Sequence, residues 1–322
     1  MIGKDRFGAG YSKIGRGNIS PITVVLPKIA IEYGIATGKR TEADITGFFT
    51  KLDEILRIAE KGLVERFAHI SSQSPESAKF MYQNGCVLDA DKCQNNVYEA
   101  LKHGTNAIGL IGLSETLYAL VGKNHLDPVA RELGKKIIKY IYDFAKAASD
   151  RNNLNFSCYF TPAEGCCHTI MKKLKKEFGI IRNITENEFL TNSVHVPVWE
   201  KVDIFEKLEV EREFTDYGVG GEITYIEFDT SPKDNLEALE SVINHAMEMN
   251  IPYLAINFPI ATCNTCGHSD SAMKDTCPEC EGHDIEHLAR ITGYLSQDVS
   301  NFNLGKKDEY YKRFKHSTIT KL

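Results

Sequence analysis

The sequence predicts an α/β protein, and three observations carry that prediction. One is an apolar, β-branched run at residues 19 to 31. A second is a set of long segments with helical apolar spacing, and the third is a series of short strand-like runs between and after them. Strands separated by helices of this length form βα units, hence a sheet or barrel with active groups at the strand ends.

The run "ISPITVVLPKIAI" is apolar at nearly every position, as a strand covered on both faces would be, and reads as a central, parallel strand over 19–31. From Glu42 to about Ser71, residues Ile45, Phe49, Leu52, Leu56, Leu63 and Phe67 recur at helical spacing on a charged background, which predicts a long amphipathic helix. A second helix opens at Asp127-Pro128, a capping residue followed by proline, and runs through Leu133, Ile137, Ile141 and Phe144 to about Ala148. A third opens the same way at Ser231-Pro232 and carries Leu236, Leu239, Val242 and Ile243. The runs "NFSCYF" (155–160), "GEITYIEFD" (221–229) and "PYLAINF" (252–258) read as strands.

Composition narrows the class. A net charge of −6 and a pI near 6.0 supply no electrostatic reason to expect a nucleic-acid or membrane partner. The basic cluster "KKLKKEF" (172–178) is interleaved with apolar residues and reads as the solvated face of a helix. The sequence has no run of 18 uncharged apolar residues, and its first residues lack the apolar core of a signal peptide. A cytoplasmic protein is therefore expected, in which paired cysteines point to metal before disulfides.

Cys263, Cys266, Cys277 and Cys280 have that spacing: Cys-x2-Cys, ten residues, Cys-x2-Cys. Four thiolates so placed make the tetrahedron of a structural zinc ion and leave no coordination position open for catalysis. Gly267 after the first pair and Pro278 inside the second suit the tight turns. His268, His283 and His287 read as bystanders. An iron–sulfur cluster is the other possible occupant, and four reduced buried cysteines the simplest alternative. The segment is acidic and lacks interleaved aromatics, which argues against a nucleic-acid-binding ribbon.

Downstream lies "RITGYLS" (290–296), which alone reads as a strand or turn with one glycine where the backbone is tight. In company with the four cysteines and the basic tail "NFNLGKKDEYYKRFKHS", it resembles the glycyl-radical loop of anaerobic, class III ribonucleoside-triphosphate reductases. The blocks "GRGNISPITVVLPKIAI" (15–31), "LKHGTNAIGLIGLSETL" (101–117), "NFSCYFTPAEG" (155–165), "TNSVHVPV" (191–198) and "NFP" (257–259) extend the resemblance over essentially the whole chain.

The resemblance implies part of a ten-stranded α/β barrel of the glycyl-radical and ribonucleotide reductase type over 1–260. A four-cysteine zinc knuckle would follow over 261–287, and a radical loop with basic tail over 288–322. It implies that a radical S-adenosylmethionine activase with an iron–sulfur cluster removes a hydrogen from Gly293, and that oxygen cuts the activated chain there. Chemistry favours glycine at that position: a Cα radical is stabilised by planar delocalisation between the amide nitrogen and the carbonyl, and a Cβ would crowd that plane. In the family the radical passes to a cysteine, whose thiyl takes the 3′-hydrogen of a ribonucleoside triphosphate. The 2′-hydroxyl leaves as water, and formate commonly supplies the reducing equivalents.

By the same resemblance Asn18, in "GRGN", helps to position the ribose, a task that suits an amide. Thr161, Ala163 and Glu164, in "TPAEG", belong to a substrate-phosphate loop that follows a strand and opens a helix, where free N–H groups attract phosphate. Glu164 has an alternative as a carboxylate favoured at a helix start.

The sequence also departs from the family pattern. The family's radical-bearing cysteine lies shortly before "GRGN", and no cysteine precedes Asn18 here. The chain reads as the C-terminal half of a reductase whose companion N-terminal half supplies the cysteine, the complete enzyme being a homo-oligomer. A half-barrel alone would expose strand edges and self-associate. Two alternatives remain: another glycyl-radical enzyme using Cys86 of "NGCVLDAD", and a non-catalytic zinc-containing assembly module. Cys158, Cys166 and Cys167 read by default as small buried hydrophobes.

Overall fold

The computed structural model describes residues 3–271 and 273–316. They form two compact units: the described residues up to Thr161 together with Phe214–Glu222, and Pro162–Glu213 together with the described residues from Ile223 onward. Residues 317–322 of the expected basic tail lie outside the described residues.

In the first unit, β1 (Asn18–Val25), β2 (Thr105–Ile111) and β3 (Phe156–Phe160) make a parallel sheet in the order β1-β2-β3. Helices α1 (Leu26–Tyr33), α2 (Ile45–Ser71), α3 (Lys79–Gln83), α4 (Tyr98–Leu101), α5 (Leu113–Val121) and α6 (Pro128–Asn152) connect the strands. The expected strand over 19–31 breaks at Val25. Pro27 lies in the first turn of α1, where its fixed φ and missing N–H cost nothing, whereas inside a sheet it would remove a ladder donor.

Nor is β1 central among the described strands. Pro21 has no N–H to offer, and Arg66 of α2 donates to the Pro21 carbonyl at 3.1 Å and to Ser20 Oγ at 3.3 Å. Both features belong to an edge. The central strand is β2, buried at every residue.

The two long helices form where periodicity places them. On α2 the buried stripe is Phe48, Leu52, Leu56, Ala59, Leu63 and Phe67, steps of three and four. Ile45 and Phe49, expected in that stripe, lie at its half-exposed margin. Asp127 Oδ1 caps α6 by accepting from the N–H groups of Val129 and Ala130 at 3.0 and 3.1 Å.

The second unit contains α7 (Glu164–Phe178), most of α8 (Ile204–Thr215), β4 (Thr224–Glu227), α9 (Leu236–Glu248) and β5 (Leu254–Asn257), with β4 and β5 parallel. A further sheet, in the order β7-β6-β8-β9, is antiparallel: β6 (Ile260–Cys263), β7 (Ser269–Asp270), β8 (Ile285–Ile291) and β9 (Tyr294–Ser296). The chain continues to α10 (Leu304–Lys312).

The third helix begins later than expected. Ser231 caps only a short 3₁₀ turn, Pro232–Asp234, and Asn235 Oδ1, accepting from Ala238 N at 3.1 Å, caps α9. The buried residues of α9 are Val242 and Ala246, while Leu236 and Ile243 of the expected stripe are exposed. Among the described residues no helix is long and apolar enough to cross a membrane.

Candidate functional site

The four cysteines converge. Their sulfur atoms all lie within 4.8 Å of one another, with Cys263–Cys280 and Cys266–Cys277 each at 3.6 Å. A zinc–thiolate tetrahedron with bonds of about 2.3 Å has sulfur–sulfur edges of about 3.8 Å, so the donor set fits zinc in number, chemistry and spacing. Two matching turns build it. Gly267 N–H donates to Cys263 O at 2.8 Å, and Glu281 N–H donates to Cys277 O at 3.0 Å.

The residue after each Cys-x2-Cys pair has a positive φ, Gly267 at 78° and Glu281 at 55°. The second turn therefore depends on a left-handed Glu281, which sequence reasoning had not singled out beside Pro278. Backbone N–H groups of Cys266 and Thr265 lower the pKa of the Cys263 thiol, whereas those of Cys266 and Cys280 are raised beside the neighbouring thiols. His283 and His287 face backbone carbonyls, Asp275 O at 3.0 Å and Lys274 O at 2.9 Å, and stand outside the sulfur cluster.

Strand β8 leads from this knuckle to the candidate radical position. Ile291 pairs with Tyr294, leaving Thr292 and Gly293 as a two-residue hairpin turn between β8 and β9. Thr292 is buried and has φ of +54°, a strained conformation for a β-branched residue. Arg290 Nε donates to the Thr292 carbonyl at 3.1 Å, and Asn192 Nδ2 lies 3.4 Å from Thr292 Oγ1.

Gly293 itself is exposed at the turn. A Cβ built on it would collide with Glu164 Oε1, so the carboxylate occupies the place of a side chain. Glu164 is the first residue of α7 and has φ of +42°, and Ala163 before it provides no side-chain cap. A Cβ on Gly165 would meet Tyr294 Oη at 3.4 Å, so the α7 start and the hairpin are in close contact.

The structure thus brings Ala163, Glu164, Gly293 and the four cysteines into the second unit, and places Asn18 and Thr161 in the first. Asn18 opens β1 and donates from Nδ2 to Gly220 O at 2.9 Å. Gly220 lies against β3: a Cβ there would approach Ser157 Oγ at 2.6 Å. Thr161 Oγ1 shares a hydrogen bond of 3.0 Å with Thr23 Oγ1.

Cys158 and Cys167 are buried, and burial pushes the Cys158 thiol up. Cys166 and Cys86 are exposed, Cys166 contrary to its default reading.

The "basic tail" is largely not a solvated one. Lys306 is fully buried, with Nζ 2.6 Å from Glu309 Oε2 and 3.5 Å from Thr292 Oγ1. Arg313 pairs with Glu309 at 2.6 Å and with Glu227 of β4. A cavity of about 50 Å³ beside this network is lined by Asn192, His195, Tyr225, Glu227, Thr292 and Arg313, among others. Residues 306, 309 and 313 share one helical face, a spacing the sequence displays. Their burial was not deducible from it, because three charges in "LGKKDEYYKRF" read as surface until Glu227 is seen opposite.

Comparison with known proteins agrees with this geometry. The family model described as anaerobic ribonucleoside-triphosphate reductase matches residues 3–316. An anaerobic ribonucleoside-triphosphate reductase of Haemophilus influenzae is 33% identical over 314 residues, covering 94% of this chain and 43% of its own length. That of Enterobacteria phage T4 is 30% identical over 313 residues, covering 94% and 49%.

Among solved structures, an anaerobic ribonucleotide reductase superposes with a TM-score of 0.74 at 23% identity over 94% of this chain and 45% of its own. The Thermotoga maritima enzyme in complex with dATP and CTP gives 0.69 at 21%, over 93% and 46%. These likenesses show the α/β fold. The chain belongs to the anaerobic ribonucleoside-triphosphate reductase family and spans about half the length of the curated relatives it matches.

Proposed function

We infer that this chain supplies the radical-bearing C-terminal part of an anaerobic enzyme that reduces ribonucleoside triphosphates to 2′-deoxyribonucleoside triphosphates. The observation that carries the reading is the position of Gly293. It stands in a two-residue turn, one strand after a four-thiolate cluster, against the first residue of the helix that "TPAEG" opens.

In this reading Gly293 gives up a Cα hydrogen to a radical S-adenosylmethionine activase and stores the radical. The N–H groups at the start of α7 receive the substrate phosphates, with Thr161, Ala163 and Glu164 as that loop. Asn18 orients the ribose by hydrogen bonds to its hydroxyls, on a carboxamide already steadied by Gly220. Cys263, Cys266, Cys277 and Cys280 hold zinc, which fixes the knuckle from which β8 reaches the turn. The thiyl cysteine comes from the N-terminal half that the resemblance implies, and formate is the reductant.

The test is an anaerobic electron paramagnetic resonance spectrum after incubation with a class III activase, S-adenosylmethionine and a reductant. A doublet should form in the wild-type chain and be absent from Gly293→Ala. Addition of the cysteine-bearing half should then give formate-dependent dNTP formation. No doublet, with or without that half, would leave a zinc-containing assembly module as the better description.

A further inference from the structure

We propose that Glu164 couples phosphate binding at the start of α7 to the environment of Gly293. The proposal rests on the reading of 161–165 as the substrate-phosphate loop and adds a regulatory contact to it. Three observations carry it.

Glu164 Oε1 takes the space of a Gly293 side chain, so one face of the Gly293 Cα meets a carboxylate oxygen. Glu164 is the first residue of a 15-residue helix whose first turn no side chain caps, so its charge sits where the backbone N–H groups are positive. Among the described residues its carboxylate makes no hydrogen bond or ion pair that would hold it there. It reaches only as a field to Tyr225, whose hydroxyl is raised chiefly by burial.

The physical consequence is a competition. A phosphate arriving at the α7 start meets a carboxylate of the same sign on the first residue of the helix. Like charges at hydrogen-bond range repel, and Glu164 is the member free to swing away. Its departure uncovers the Gly293 face it had screened. An empty phosphate loop therefore keeps one face of the glycine covered, and an occupied loop exposes it. Chain geometry favours such a switch: Glu164 is held at φ +42°, and Thr292, the residue before the glycine, at +54°, so strained backbone lies in or next to each side of the contact.

The test uses the full zinc-loaded chain with ¹³Cα-labelled glycine and inorganic pyrophosphate as the probe. The Gly293 signal is assigned as the one missing from Gly293→Ala. Pyrophosphate should bind the wild-type chain and move that signal. Glu164→Gln should bind it about fivefold tighter, the scale of one charge at a helix terminus, with a smaller movement. Glu164→Ala should bind it with the Gly293 signal unmoved; unchanged zinc content and circular dichroism will show that each variant is folded.

Weaker binding by Glu164→Gln, or an equal movement in Glu164→Ala, overturns the coupling. Failure of pyrophosphate to bind either wild type or Glu164→Gln overturns the phosphate-loop reading and the coupling together. Binding and movement as expected, in a chain that never yields the radical doublet, would support the coupling and reject the reaction proposed above.

Discussion

Lys306 Nζ lies 2.6 Å from Glu309 Oε2, and both side chains are 1% exposed. A pair removed so completely from water is costly to break from one side, because the buried Glu309 carboxylate then has Arg313 alone, at 2.6 Å, to offset its charge. Lys306→Met should lower unfolding free energy by about 3 kcal/mol, measured by urea denaturation. A loss below about 0.5 kcal/mol would mean that water reaches Glu309 when its partner is gone.

His316 ties the end of the described chain to β4: its N–H donates to Glu227 O at 2.7 Å, and its Nδ1 lies 3.2 Å from Glu227 N. Burial, and then the charge of Lys207, lower its pKa from 6.5 to about 4. A depressed folded-state pKa means that the unfolded chain takes up the proton first as pH falls. Stability is therefore full above about 6.5 and drains away toward 4, by roughly 3 kcal/mol.

The melting temperature should fall across that window and stay flatter in His316→Phe. Glu211 titrates separately. Burial would raise its pKa, but Lys207 and His195 hold it well below 4.5, so its contribution is present above 4.5 and disappears only below.

Gly293→Ala, the natural control for radical formation, carries its own structural cost. The new methyl group meets Glu164 Oε1. Because that atom is the end of a flexible side chain that can move aside, a destabilisation below about 1 kcal/mol is expected, most of it relieved when Glu164→Ala is added. Thermal unfolding of the two single variants and the double variant measures the coupling. Additive losses would place the carboxylate away from the glycine.

Cys277→Ser removes one of the four thiolates. The wild-type chain is expected to take up one zinc and the variant well under half of that, and the loss should reach beyond the knuckle, because Cys263 and Cys277 pack with Ala261 and Met273 in one small core. Elemental analysis and limited proteolysis check the two parts. Full zinc content in the variant would assign the metal to other ligands.

The legible parts of this fold were those written in local pattern. The stripe on α2 and the Asp127-Pro128 start of α6 follow from spacing and capping chemistry within a few residues, and β3, β4 and β5 formed inside the runs expected of them. The four-cysteine cluster was legible for the same reason: two short turns are local structures, and their spacing states how many donors each provides. Where a second element decides the outcome, local pattern misled. Residues 26–31 are apolar enough for a strand, yet Pro27 opens a helix, and among the described strands β1 lies at an edge, with Arg66 on Pro21. Leu236 and Ile243 continue a helical pattern but face outward, since only Val242 and Ala246 meet the core with Ile226 and Phe228.

By itself the sequence determined the α/β class and the convergence of the four cysteines, and it marked 290–296 as a strand or turn around Gly293, because each is a matter of periodicity, ligand spacing or tight-turn chemistry over a few residues. Its likeness to a known family extended that to the whole chain. Only the tertiary structure decided that the carboxylate of Glu164 rests on Gly293, 129 positions away. It likewise decided that Lys306, Glu309 and Arg313 are buried against Glu227. Contacts between residues so distant depend on how whole elements pack, and a charged side chain carries no mark of its burial until the opposite charge is brought beside it.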